Sequence, residues 1–551
     1  MPSQHEKLAA MRAFEQDEKL MFDVVPAGRD AVQCVYAYPN TYTVGICSLG
    51  YQLVWAYLAG RPDVHCARLF TDASEPLPRQ VDLLGFSFSW ELDYANILAM
   101  LEAANIPIRA VDRGPEHPLI FGGGPVLTAN PEPYADWFDV VLLGDGEDLL
   151  QAFLEAYKAV KSSPSDAQSR PEVLRALSQV PGIYCPSLYV PEYEAPDGRR
   201  VGLKRIAEDV PETVKKQTYR GNTLARSTVV SEKMAWENIY MVEVVRSCPE
   251  MCRFCLASYV TLPFRTAALT TSLIPSIEEG LKVTDRIGLL GASVTQHPEF
   301  EALLEHMCQP QYDHVRMSVA SVRTNTVTPK LTSALVRRGT KSLTIAVESG
   351  SERMRRIVNK KLEQADIVGA AINAQQGGLE ALKLYGMVGV PGETQADVQQ
   401  TVDMMKDVRK AAPGLRLTLG CSTFVPKAHT PFQWWGVDPE GEKRLQFLAK
   451  EMGQIGVDFR PESYKWSTIQ ALLSRGDRRL GPLLELVREY GDSRGSFRRA
   501  FKELRGSLPP MDFYVHEKHP PGEMVLPWAH LEMSLPEKTL VKHAAEAVSY
   551  F

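Results

Sequence analysis

Three cysteines fall within eight residues, Cys248-Pro-Glu-Met-Cys252-Arg-Phe-Cys255, directly after the β-branched run Ile239-Tyr-Met-Val-Glu-Val-Val245. A loop with C-x3-C-x2-C spacing at the end of a strand can turn all three thiolates inward onto one iron–sulfur cluster. Three thiolates on a four-iron cubane leave one iron open to a substrate or cofactor, whereas four-cysteine sites are closed. The plainer readings are a zinc knuckle or three unrelated thiols. Zinc sites usually pair C-x2-C with a second Cys/His pair a dozen or so residues on, and no such pair follows here. Spacing therefore favours the cluster.

Strand-like and helix-like stretches alternate around this loop. From about 236 to 435 the predicted strands are Ile239–Val245, Arg286–Leu290, Val315–Val319, Ser342–Val347, Ala381–Val388 and Arg416–Ser422, with helices such as Pro329–Arg338 and Thr394–Ala411 between them. The first ~150 residues alternate likewise, with strands Val32–Tyr38, Val81–Ser87, Pro118–Phe121 and Phe138–Leu143 and helices Val44–Leu58 and Tyr94–Ala104. Repeated β–α alternation implies a parallel, doubly wound sheet, whose ligands sit beyond the carboxyl ends of the strands. The groups offered there are Ser87, Ser89, the run Gly122, Gly123, Gly124, and Gly144-Asp-Gly-Glu147. Residues ~155–235 read as a connector, including Ser162-Ser-Pro-Ser-Asp, one compact turn at Val180–Pro186, and a solvated stretch of mixed charge, Leu203–Lys216. The last ~115 residues read as short helices, Gly441–Met452, Ser467–Leu473, Pro482–Glu489 and Phe497–Leu504. Their basic runs, Arg475–Arg479 and Arg498-Arg499, read as solvated helix ends in preference to phosphate contacts.

At 551 residues the chain can form two or three domains with a large core. Hydrophobic content of 44% and charged content of 23% are ordinary for a globular protein. A net charge of −6 gives no global basic field to attract nucleic acid, and no apolar run reaches the ~18 residues a membrane span needs. The opening Met-Pro-Ser-Gln-His-Glu-Lys lacks a signal-peptide pattern. Nine cysteines suit a reducing cytoplasm better than disulfides, with Cys34, Cys185, Cys308 and Cys421 as inert core thiols.

With an aromatic residue, Phe254, just before the last cysteine, the loop resembles that of the radical S-adenosylmethionine (radical SAM) superfamily. The resemblance implies that Cys248, Cys252 and Cys255 ligate a [4Fe-4S] cluster and that its open iron chelates the amino and carboxylate groups of S-adenosylmethionine. An electron from the cluster then splits the sulfonium C–S bond to give a 5′-deoxyadenosyl radical, while the protein supplies positioning and excludes water. Six strand–helix units fit the family's partial barrel, with the site at the strand ends. Leu290-Gly291-Ala-Ser293 stands where the family has G-G-E. Without the glutamate, only the strand-edge contact to the methionine amino group carries over. Ser321 and Arg323 follow the third strand, and Arg323 is open between a carboxylate partner and a surface ion pair. Glu348 and Ser349 end the fourth strand, inside E-S-G-S-E-R-x-R-x-x-x-N-K, a pattern resembling cobalamin-type members. The pattern favours Glu348 for the ribose hydroxyls over a cap on the following helix. Gly389 and Gly392 allow backbone to approach a ligand. Whether Lys383 points into the barrel is not decided by periodicity, and His297 reads as a helix-entry residue. Phe424–Trp435 resembles the motif closing these cores.

The first segment resembles the cobalamin-binding domain found ahead of many such cores, in its GFSFS strand end, its GGG-P turn and D-x-V-x-x-G-D-G-E. Members that ligate cobalt through protein carry D-x-H-x-x-G, but here Pro39–Gly45 holds no histidine. Bound corrinoid would therefore lack a histidine on its lower face, and a domain of the same fold without corrinoid is the alternative. The expected architecture is α/β: a flavodoxin-like cobalamin-binding-like domain (1–155), a connector (156–235), a partial (β/α)6 TIM-type radical SAM core (236–435) and a helical C-terminal region (436–551). The expected activity is a cobalamin-dependent methyl transfer to an unactivated carbon of an unspecified substrate, served by an external electron donor of flavodoxin or ferredoxin type. The alternative is a methylthiotransferase acting on tRNA or a ribosomal protein. That family shares a flavodoxin-like N-terminal domain and the T-P-F-Q-W ending, but needs three further cysteines, widely spaced. The candidates Cys34, Cys47 and Cys66 lie only 13 and 19 residues apart, and Cys34 falls mid-strand. An electron-transfer or cluster-sensing protein has no need of a barrel with glycine-lined strand ends.

Overall fold

A computed structural model describes residues 17–162, 169–320 and 322–551. Ser321, the opening Met1–Lys7 and most of the Ser162–Asp166 stretch lie outside the described residues. The first sheet contains β1 (Val32–Ala37), β2 (Val64–Leu69), β3 (Leu83–Ser87), β4 (Leu119–Gly123), β5 (Val140–Leu142) and β6 (Ile183–Tyr184), in the order β2-β1-β3-β4-β5-β6. All neighbours are parallel except β5 and β6. Helices on both faces explain why β3 is buried at every residue. The order turns back at β1, so the crevice between β1 and β3 is the switch point where such sheets bind ligands.

Two elements differ from expectation. The helix expected over Val44–Leu58 is broken into Tyr42–Gly45 and α1 (Leu49–Ala59), with the Ser48 side chain accepting the Tyr51 N–H at the new N-terminus. The edge strand β2 was not expected. Its Arg68 is buried and paired with Glu18 and Glu75, and such long-range pairing is invisible in local sequence.

The core carries the six expected parallel strands: β7 (Ile239–Arg246), β8 (Arg286–Gly291), β9 (Arg316–Val319), β10 (Ser342–Glu348), β11 (Ala381–Val388) and β12 (Arg416–Thr423), followed by β13 (Asp458–Pro461). They form two arcs, β7-β8-β9 with an antiparallel edge at Arg265–Thr266, and β10-β11-β12-β13. Among the described residues the arcs are joined by one bridge, Val322–Ile345, rather than by a ladder. Alternation along β11 resolves Lys383. Leu382 and Leu384 are buried against the outer helices, whereas Tyr385, on the same face as Lys383, is 55% exposed, so both face the lumen.

The basic run Arg475–Arg479 is not solvated, whereas Arg498 and Arg499 are exposed as expected. Arg475 is buried, donating to the carbonyls of Tyr514 and Glu517. Arg478 reaches Glu132, the Tyr184 hydroxyl and the carbonyls of Pro186 and Tyr189 in the first sheet's surroundings. The connector is tied down too: Arg200 is fully buried on the Pro527 carbonyl. Charged residues here are the seams between segments, because buried guanidinium groups persist only where their donors are satisfied.

Candidate functional site

The cysteine loop leaves β7 through two left-handed residues, Ser247 (φ 69°) and Met251 (φ 55°). This backbone is held by a segment more than a hundred residues away. Asn359 Nδ2 donates to the carbonyls of Glu250 and Met251, both at 3.0 Å. The Arg253 N–H reaches Val358 O, and its guanidinium reaches the carbonyls of Arg356 and Ile357. Burial pushes the Cys252 thiol up to about 12 and the Cys255 thiol upward, and the neighbouring cysteines add to both shifts. Lys360 acts the other way on Cys252. Nearest polar contacts are weak ones, Cys248 Sγ to Gln296 Oε1 and Cys252 Sγ to Asn359 O, each 3.8 Å. Among the described residues no three His, Cys, Asp or Glu side chains converge on a single ion.

Strand ends ring this loop. Ser293 Oγ donates to Gln296 Oε1 (2.6 Å), and Gln296 Nε2 donates to Glu250 Oε1 (2.6 Å). Glu250 also takes Arg323 at 3.1 Å, so that arginine makes a largely buried ion pair with the cysteine loop itself. Gly291 ends β8 at φ 152°, where a Cβ would lie 2.6 Å from Val245 O. Glu348 sits at a bulge in β10 with φ 66° and pairs with Lys360 at 2.8 Å. Burial disfavours the Lys360 ammonium, but Glu348 and Cys252 outweigh it and hold its pKa above the ordinary value. Ser349 is buried, accepting the Ser351 N–H. Gly389 donates its N–H to Glu393 at 2.6 Å; burial raises Glu393 to about 7 against that bond and Arg444. Phe254 packs beside Met354, Met387 and Val390. His297 is buried on Ala267 O rather than directed at the loop.

A cavity of about 660 Å³ opens between the first sheet and the barrel. Tyr36, Ser87, Ser89, Gly123, Gly124, Gly144 and Glu147 line it from the first sheet, and Glu243, Val245, Arg246, Ser247, Leu290 and Gly291 from the barrel. It therefore spans the switch point and meets the cysteine loop at both ends, at Ser247 and at Leu256. Of the glycine run, Gly122 does not reach it, because its Cα faces Leu127 and Phe138 in the core. The wall between the two halves is a charge network. Arg246 binds Glu243 through two bonds (2.9 and 2.7 Å), Asp145 at 3.2 Å and Glu147 at 2.8 Å. Arg265 pairs with the other Asp145 oxygen. Burial raises the Glu147 carboxyl against the pull of Arg246.

Residues 242–405 match the radical SAM superfamily, and residues 65–186 match the N-terminal family of radical SAM proteins. The chain belongs to the radical SAM superfamily. Members use a [4Fe-4S] cluster and S-adenosylmethionine. An uncharacterized protein of Methanocaldococcus jannaschii is 28% identical over 81% of this chain and 89% of its own length. A ribosomal protein uS12 methylthiotransferase of Pelotomaculum thermopropionicum is 22% identical over 49% of this chain and 62% of its own. Among solved structures, the radical SAM methyltransferase TsrM of Kitasatospora setae, with cobalamin and cluster bound, covers 76% of this chain and 75% of its own at 12% identity and TM-score 0.47. The cobalamin-dependent radical SAM enzyme OxsB covers 94% and 79% at 11% identity and TM-score 0.46.

In this radical SAM enzyme, several residues at the site carry no local sequence signal. Asn359 and Lys360 stand inside a recognised pattern, yet their work is to brace the cysteine loop and to pair with Glu348. Gln296, Glu250 and Arg246 are ordinary polar residues that also reach far along the chain, Gln296 to Glu250 46 residues away and Arg246 to Asp145 and Glu147 about a hundred away. The helices hold nothing long and apolar enough to cross a membrane among the described residues.

Proposed function

We propose that this radical SAM enzyme is a cobalamin-dependent methyltransferase acting on an unactivated carbon, with residues 1–155 holding the corrinoid and 236–435 the cluster. One observation carries the reading: a single 660 Å³ cavity joins the switch point of the first sheet to the start of the cysteine loop. A flat ligand lying there would reach both. In this reading Cys248, Cys252 and Cys255 hold the cluster, Asn359 fixes their loop, and Phe254, Gly291, Ser293, Arg323, Glu348, Ser349 and Gly389 surround S-adenosylmethionine. Ser87, Ser89, Gly123, Gly124 and Gly144 border the corrinoid, and Glu147 acts through Arg246 rather than on the ligand. When bound, the cluster supplies the electron that splits S-adenosylmethionine and the corrinoid carries the methyl group. Lys360 holds Glu348 Oε1, so Glu348 would meet the ribose hydroxyls through Oε2 while keeping its ion pair.

The methylthiotransferase reading lacks ligands for a second cluster. Cys34 and Cys66 are opposite one another on β1 and β2, Cys34 fully buried, and burial drives the Cys66 thiol well up. Cys47 lies on a different loop, donating to Thr43 O. Anaerobic reconstitution with iron analysis and an ultraviolet–visible spectrum separates the two. About four irons per chain with a corrinoid band, and 5′-deoxyadenosine on reduction with S-adenosylmethionine, supports the proposal. About eight irons and no corrinoid uptake overturns it.

A further inference from the structure

The cavity has two regions of different chemistry. Within the first sheet it is an apolar recess walled by Leu49, Leu53, Val54, Phe121, Leu149 and Leu150. At the seam with the barrel it becomes charged, and there the connector delivers Lys216. The backbone of Lys216 is fixed by Glu532 O, and its side chain runs over the Gly144 turn, where a Cβ on Gly144 would lie 2.7 Å from Lys216 Cγ. Only 5% of the residue is exposed, and it lines the cavity. Its ammonium has one acceptor, the Leu262 carbonyl at 3.0 Å, which Ser534 also uses.

Two of its three N–H donors are therefore unused, and among the described residues no carboxylate lies within ion-pair reach of it. The neighbouring acids are committed elsewhere: Asp145 to Arg246, Arg265 and the Tyr219 N–H, and Glu147 and Glu243 to Arg246. Burial, with Arg265, Arg220 and Arg246 nearby, lowers Lys216 to about 8 despite Asp145. A buried ammonium in this state is stabilised by an anion that brings both charge and acceptors. A neutral carboxamide would bring acceptors alone.

The order along the cavity is apolar recess, cation, barrel mouth. That order matches a ligand with an aromatic base at one end, an anion in the middle and a flat macrocycle at the other. Resting on the corrinoid reading above, we infer that Lys216 binds the phosphodiester of the corrinoid's nucleotide tail, with the tail's base in the apolar recess and the ring turned to the barrel. Lys216 is in this way a specificity residue, distinguishing complete cobalamin from corrinoids without the tail.

The test crosses a truncated residue with a truncated ligand. Hydroxocobalamin and cobinamide, which lacks phosphate and base, are each titrated into the full chain by absorbance, for wild type, Lys216→Met and Lys216→Arg. The wild type should prefer cobalamin. Lys216→Met should weaken cobalamin binding about 10- to 100-fold, the worth of one charge-assisted hydrogen bond, and leave cobinamide unchanged, which also shows that the variant is folded. Lys216→Arg should restore part of the preference. Equal losses for both ligands in Lys216→Met, or no loss for either, would overturn the inference while leaving corrinoid binding intact. A wild type that binds neither ligand would instead remove the functional reading on which it rests.

Discussion

Replacing Gly122, Gly123 and Gly124 by alanine one at a time should give three different results from three adjacent identical residues. At Gly122 a Cβ would lie 2.5 Å from both Leu127 Cδ1 and Phe138 Cε1, which belong to fully buried side chains. Neither can move aside, and overpacking of this kind costs about 1–3 kcal/mol. At Gly124 the backbone is left-handed, φ 110°, and a Cβ would lie 2.6 Å from the Phe88 carbonyl oxygen. That carbonyl is fixed, because the Phe88 N–H is bound to Gly123 O. The left-handed conformation costs about 1–2 kcal/mol for a residue with a side chain, and the backbone overlap adds to it, giving about 2–4 kcal/mol. At Gly123 the nearest atom, Leu142 O, is 3.7 Å away, an ordinary contact. Alanine there should be neutral or slightly stabilising, since it restricts the unfolded chain.

Scanning calorimetry of the full-length chain reads these differences. For a domain of 150–250 residues each kcal/mol moves a melting transition by about 2–4 °C, so Gly124→Ala should melt roughly 4–16 °C lower than the wild type. Gly122→Ala should fall between, and Gly123→Ala should match the wild type. Because only Gly123 combines a tolerant backbone with a place on the cavity wall, Gly123→Val should fold yet bind hydroxocobalamin more weakly. If Gly123→Ala melts low while Gly124→Ala melts with the wild type, the placement of this turn is wrong. If Gly123→Val titrates unchanged, the turn does not border the corrinoid.

Cys252→Ala should keep the wild-type melting profile and lose 5′-deoxyadenosine formation; retained product would show that this thiol is not a ligand. Arg113 and Asp139 form a fully buried pair at 2.9 Å, and Arg113 also donates to the carbonyls of Pro107, Ile108 and Trp137. Arg170 stays on the other Asp139 oxygen at 2.9 Å, so Arg113→Met should cost about 1–3 kcal/mol, the penalty of buried acceptors left without a donor, read as a lower urea midpoint; an unchanged midpoint would count against a dry site. Burial lowers His429 to about 3, so below pH ~6.5 the unfolded chain binds a proton that the folded chain refuses. The contribution to stability is full above the unfolded pKa and falls by about 1.4 kcal/mol per pH unit down to about pH 3. His429→Asn, which suits the left-handed φ of 58° there, should flatten the pH dependence by that slope between pH 6.5 and 4.5. Parallel profiles would contradict the burial of this imidazole.

What could be read in advance follows from how local each determinant is. The core strands are legible because β-branched and leucine runs bounded by glycine or polar residues need no distant partner; Ala381–Val388 was expected with the bounds it has. The cysteine spacing and the glycine turns are legible for the same reason. Arg478 and Lys216 were misread as solvated, because a charge in a charged stretch looks the same whether it meets water or a partner 346 residues away, as Arg478 meets Glu132. Strand β2 was missed because its Arg68 is neutralised by residues outside the strand. Lys383 needed only its neighbours' burial, which the alternation suggested but the helices had to supply.

The least legible feature bears most directly on how the two halves work together. Asp145 caps and Glu147 opens the helix Gly146–Lys161 that follows β5, and Arg246 ends β7 two residues before Cys248, yet with Glu243 they form one ionic unit across the seam. Each of the four groups is 11–16% exposed, so the contacts are screened far less than surface pairs. Arg246 makes four contacts to three carboxylates, and removing it would leave Glu147 and Glu243 crowded and without their cation while Asp145 keeps Arg265, the costly way to break such a network. The turn that borders the cavity and the loop that carries the cysteines are thus fixed to the same guanidinium. A displacement of either transmits to the other through a rigid planar group, so the distance between a ligand in the cavity and the cysteine loop is set by residues that need not touch the ligand at all.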